Sequence, residues 1–105
     1  MVTLHLLLGK PGKAKQKMQK KLERANNALF ISPDEWCRQI FDSPGSTDRV
    51  KNRQVIETIT WSHVSRVLKL GLDVILDYAD LTETELEELR NKAKKAGAGV
   101  EVYRV

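Results

Sequence analysis

The sequence predicts an α/β fold: a single domain over residues 1–105, built as a three-layer sandwich of a short parallel sheet, about four strands, between helices. Three observations predict it. Apolar runs of strand length alternate with longer stretches of helical spacing. Two helix starts are written as capping boxes, Ser32 with Glu35 and Thr82 with Glu85. The first run, residues 2–8, is apolar apart from Thr3 and His5, as a strand covered on both faces reads. Strands that alternate with helices pair in parallel through right-handed crossovers.

The elements follow in order. After the first strand, residues 10–26 carry a narrow apolar stripe of Ala14, Met18, Leu22 and Ala25 on an otherwise polar helix. Asn26 and Asn27 supply its stop, because Asn tolerates the left-handed conformation of a helix end. Residues 28–32 hold Phe30 and Ile31 and read as a second strand. Pro33 suits the first position of the helix capped by Ser32, and Trp36, Cys37, Ile40 and Phe41 continue its apolar spacing. Cys37 reads as a small core residue. The Asp-Ser-Pro-Gly-Ser-Thr-Asp run at 42–48 is a loop by composition. A long helix over 48–70 presents Ile56, Ile59, Val64, Val67 and Leu68, and Gly71 ends it. Trp61 reads as packing and His63 as exposed. Residues 72–78 form a third strand closing near Asp77, a helix capped by Thr82 runs to about Ala96 with Leu86, Leu89 and Ala93 inward, and residues 100–105 alternate as a fourth strand.

The bulk properties exclude several classes. No apolar run approaches the roughly 18–20 residues of a membrane-spanning helix, and no signal-peptide pattern opens the chain. The single cysteine rules out an internal disulfide framework, so a reducing, cytoplasmic setting is the default expectation. The net charge is +4 but unevenly placed: residues 10–24 hold seven Lys or Arg against Glu23 alone. A basic block of this kind suggests an anionic partner. His5, inside the first strand, reads as structural.

The chemistry concentrates after that strand. Gly9, Gly12, Lys13, Ala14, Lys15 and Gln16 follow the apolar run as a Gly/Pro turn and then a lysine-rich helix. This nearly spells the phosphate-cradling pattern G-x-x-x-x-G-K-[ST], with Ala14 for the second glycine and Gln16 for the hydroxyl residue. In a parallel sheet, ligands gather at the carboxyl ends of the strands. Asp34 after the second strand and Asp77 at the end of the third fall there too. A lysine-bearing loop with two carboxylates is a minimal set for metal-assisted phosphoryl transfer.

These pieces, with Ser32-Pro33-Asp34-Glu35-Trp36 and Leu70-Gly71-Leu72-Asp73-Val74-Ile75-Leu76-Asp77, give the chain a resemblance along nearly its whole length. It resembles the small P-loop kinases that include zeta toxins, polynucleotide 5′-kinases and chloramphenicol phosphotransferase. The resemblance implies a P-loop NTPase-like sheet of strand order 2-3-1-4, truncated after the fourth strand. It implies that Lys15 meets the β- and γ-phosphates of ATP, that amides around Gly12 to Lys15 cradle them, and that Asp34 is the base for a substrate hydroxyl. Asp77 would orient magnesium, and Arg38, one turn after Asp34, would touch an anionic substrate.

The departures point toward impaired transfer. Ala14 adds a methyl where glycine lets the backbone approach phosphate. Gln16 lacks the short hydroxyl ligand for magnesium. Members of the group continue into an arginine-bearing lid and usually a fifth strand, whereas the sequence stops at Val105, so a site without its lid is expected. The resulting expectation is a degenerate kinase-like domain that binds or regulates through its basic loop face, with ATP and magnesium as cofactors only where it is active. One alternative is a minimal ATP-dependent phosphotransferase acting on a hydroxyl substrate. Another is an electrostatic nucleic-acid-binding module, though no aromatic residue interleaves the basic run. A protein partner or second copy could pair with the exposed edge strand.

Overall fold

The computed structural model describes residues 2–41 and 49–105; the expected loop at 42–48 lies outside the described residues. Among the described residues four strands and four helices follow in the order β1 (Thr3–Leu8), α1 (Lys13–Asn26), β2 (Leu29–Ile31), α2 (Pro33–Phe41), α3 (Arg49–Lys69), β3 (Val74–Tyr78), α4 (Glu83–Lys95) and β4 (Gly99–Arg104). The sheet is parallel throughout and ordered β2-β3-β1-β4, the order the resemblance implied. In register, Leu6 of β1 lies between Leu76 of β3 and Val102 of β4. Among the described residues no helix is long and apolar enough to cross a membrane.

Alternation along the strands divides the interior unequally. Leu4, Leu6, Leu8, Val74, Leu76 and Tyr78 face α3 and α4, where Val64, Leu68, Leu86, Leu89 and Ala93 complete the main core. The opposite face is thinner: Leu7 and Ile75 meet Leu22 of α1, with Met18, Phe30 and Tyr103 packed around them.

Three readings of burial change. In α1, Leu22 is buried and Met18 half-buried, but Ala14 and Ala25 are exposed, and the second fully buried side chain of the helix is Lys15. In α3 the buried seam is Ile56, Thr60, Val64 and Leu68, four residues apart, while Ile59 is 41% exposed. Thr60 is not legible as a core position in the sequence, because a hydroxyl breaks the apolar pattern even where its position faces the core. Cys37 is half-buried rather than a core residue.

At the amino ends of the strands, His5 is buried and held as a structural residue. Its Nε2 meets Asp73 Oδ2 at 2.9 Å and its Nδ1 meets the Tyr103 hydroxyl at 3.1 Å. Asp73 Oδ1 also accepts from the Thr3 amide at 2.9 Å, tying the lead-in of β3 to β1. Chemistry is left to the other end of the sheet.

Candidate functional site

The turn between β1 and α1 is shaped by Gly9. Its φ of +143° lies in the region that side chains avoid, and a Cβ there would collide with the Val105 carbonyl oxygen. Gly12 caps α1 in extended backbone, and the first helical bond at that end runs from the Gln16 amide to Gly12 O at 3.0 Å. The amides of Lys13, Ala14 and Lys15 therefore have no intrahelical acceptor. No acidic residue occupies the first turn and no side chain caps it. A helix start in this state is suited to an anion.

A recess of about 190 Å³ opens beside it, bordered by Pro11, Gly12, Lys15 and Gln16 on the loop side. Phe30, Ser32, Glu35 and Asp77 border it from β2, α2 and β3. Pockets that enclose a drug-sized ligand run to about 300–1,000 Å³, so this volume suits a phosphate-sized group rather than a whole nucleotide.

Lys15 lies under the loop, only 6% exposed. Its Nζ donates to Gly9 O at 2.7 Å and to Tyr78 O at 2.9 Å, and it forms an ion pair with Asp77 Oδ1. An ammonium has three protons, so all three are engaged. Asp77 Oδ2 accepts from the Ser32 hydroxyl at 3.1 Å, and Ser32 Oγ in turn accepts from the Glu35 amide at 3.3 Å. Ser32 thus caps α2 as its sequence indicated and also presents a hydroxyl to Asp77. The capping role masked the second one.

Not every residue singled out enters the recess. Ala14 is exposed, has no positive φ and does not border the recess. Lys13 is exposed on α1. Asp34 Oδ2 accepts from the Ala79 amide at 3.2 Å, at the end of β3 but outside the recess lining. Arg38 is ion-paired to Glu35 and largely exposed, outside the lining as well. Among the described residues no cluster of three or more His, Cys, Asp or Glu could hold a metal alone. Magnesium is commonly held by one or two carboxylates together with nucleotide phosphates. Asp77 with the adjacent Ser32 hydroxyl fits that reduced demand.

A larger cleft of about 670 Å³ lies between α3 and α4, and sequence reading gave no sign of it. The Tyr78 hydroxyl in it donates to Glu57 Oε2 at 3.1 Å. Burial pushes the Glu57 carboxyl above its ordinary range, opposed by the Tyr78 hydrogen bond and the charges of Arg53 and Lys92. Burial, reinforced by the Glu57 charge, also raises the Tyr78 phenol. Neither residue belongs to a motif, and only the fold brings them together.

Residues 4–105 match the family model of an AAA domain. Two solved structures share the fold. One is a candidate kinase from Chloroflexus aurantiacus j-10-fl, with 21% identity and a TM-score of 0.71; the match covers 98% of this chain and 58% of that one. The other is a chain of the Pnkp1/Rnl/Hen1 complex, with 18% identity and a TM-score of 0.76, covering 98% of this chain and 35% of that one. The chain thus spans less than two thirds of either. No curated protein matches it.

Proposed function

The chain belongs to the AAA domain family, within the P-loop kinase-like group, and on that premise we propose that it binds phosphate groups at the turn over residues 9–16 with impaired phosphoryl transfer. The observation that carries this reading is the engagement of Lys15. A phosphate reaching the amides of residues 13–15 finds a helix start ready for negative charge. It must draw Lys15 away from Gly9 O, Tyr78 O or Asp77 before the ammonium can neutralise it. Gln16 compounds the difficulty, since its amide does not replace the short hydroxyl that holds magnesium in an active loop. Asp77 and Ser32 would hold magnesium arriving with a nucleotide, where the ion would neutralise charge on the phosphates. In that role Asp77 would have to relinquish its bond to Lys15.

A second reading, a working phosphotransferase to a hydroxyl, is favoured by one observation. Lys15, Asp77, Ser32 and Asp34 all gather at the carboxyl ends of β1, β2 and β3. Calorimetric titration with Mg-ATP, on the unaltered chain and on Ala14→Gly/Gln16→Ser, separates the two. The proposal expects binding without turnover by the unaltered chain and several-fold tighter, magnesium-dependent binding by the variant. Phosphoryl transfer by the unaltered chain would overturn it, and absence of binding by both forms would reduce the loop to shared ancestry of fold.

A further inference from the structure

We propose that the outer face of α1 binds single-stranded nucleic acid through its phosphodiester backbone, without regard to base sequence. Lys13, Lys17, Lys20, Lys21 and Arg24 are all exposed. At 3.6 residues per turn they fall within a sector of about 100°, opposite the buried Leu22 and Lys15. The stripe is about 16 Å long; Lys13, Lys17, Lys20 and Arg24 follow one another at about 4.5–6 Å along the axis, with Lys21 beside Lys20. That interval approximates the spacing of phosphates along an extended strand.

The arrangement works against the helix that carries it. Lys13 sits in the first turn, at the positive end of the helix dipole, where a cation is unfavourable. Lys13 with Lys17, Lys17 with Lys21, and Lys20 with Arg24 are like charges four residues apart, each pair mildly repulsive. Among the described residues none of the five forms an ion pair. The helix's one acid, Glu23, accepts from Gln19 at 2.9 Å. By contrast α4 opens on Glu83 and Glu85 in its first turn and closes on Lys92, Lys94 and Lys95 in its last, as the dipole favours. The five charges on α1 exceed the chain's whole net charge of +4. A polyanion laid along the stripe relieves the repulsion.

The occupant is a single strand because the charges run straight along one helix, whereas duplex strands wind away from such a line. Lys17, Lys20, Lys21 and Arg24 border an open groove of about 560 Å³ over Ala25. No aromatic ring lies among them to stack bases, so affinity is ionic and salt-sensitive. The proposal stands apart from the phosphate-loop reading, since Lys17, Lys20 and Arg24 do not border the recess.

Fluorescence anisotropy of a labelled oligothymidylate, titrated with the full chain over a range of salt, tests it. Four to five phosphate contacts give a slope of log K against log salt of about −3, from roughly 0.7 per contact on a single strand. The triple variant Lys17→Gln/Lys20→Gln/Arg24→Gln should flatten the slope by about 2 on the same basis. Its melting temperature should be unchanged or raised, while Lys17→Arg/Lys20→Arg keeps both slope and affinity. No binding at low salt, an unchanged slope in the triple variant, or equal affinity for a duplex, for phosphatidylserine vesicles or for polyglutamate would each overturn the proposal.

Discussion

Lys15 and Tyr78 meet through one carbonyl, and that contact links the two cavities. Tyr78 O accepts from Lys15 Nζ and from the Gly9 amide, while the Tyr78 hydroxyl reaches Glu57 on the other face of the sheet. A buried ammonium is tolerated here because a carboxylate and two carbonyls replace its water. Glu57 is less fully compensated, and its carboxyl holds its proton above the usual 4.5. A folded state that retains a proton more tightly than the unfolded chain is favoured at low pH. That contribution is fully present below 4.5 and is lost as pH rises through the raised value. Glu57→Gln should therefore gain stability relative to the unaltered chain as pH rises from 4.5 to neutrality. Thermal melts across that range check it, and an offset between the two proteins that does not change with pH would refute it. The loop pattern singled out Lys15 and the end of the third strand singled out Asp77, but neither told that each is the other's partner. Sequence patterns record residue types along the chain, whereas this pairing depends on β1 and β3 lying side by side.

At the scale of elements, local chemistry carried the most. The box at α4 is present in full: the Glu85 amide donates to Thr82 Oγ1 at 3.1 Å and the Thr82 amide donates to Glu85 Oε1 at 2.9 Å. The bond from the Thr82 amide holds the Glu85 carboxyl below its ordinary value. Thr82→Ala removes one half of this reciprocal pair and should cost about 0.5–2 kcal/mol in urea unfolding, with Thr82→Ser close to the unaltered chain. Leu86, Leu89 and Ala93 were legible inside α4 because their spacing and the cap agree. Strand bounds were less legible. Leu72 reads as strand but is 45% exposed and precedes β3, because Asp73 turns its carboxylate to Thr3 and His5. The expected end of α1 at Asn26 holds, but its start lies at Lys13 rather than residue 10, because turn geometry at Gly9 and Gly12, not hydrophobicity, sets where the helix begins; β2 is shorter than expected, Leu29–Ile31 rather than 28–32.

For the molecule as a whole, the two unequal faces of the sheet set which part opens first. The face toward α3 and α4 buries a broad cluster running from Leu4 to Ala98, whereas α1 commits only Leu22 fully to the opposite core. Burying one leucine contributes about 1.5–3 kcal/mol, and the like-charged outer face of α1 subtracts from that. Lys15 pins the start of the helix, but through polar contacts that a ligand can exchange. The helix that would hold phosphate is therefore more weakly attached than α3 and α4, and local opening follows such differences in packing. Native-state hydrogen exchange should show α1 amides exchanging through a smaller opening free energy than those of β1, β3 and α4. If phosphate groups bind at the turn, Mg-ATP at about 100 times its dissociation constant should raise the protection of α1 by about 2.7 kcal/mol, up to the global limit. Protection in α1 equal to that of the central strands, without ligand, would show that the thin face is held as firmly as the thick one.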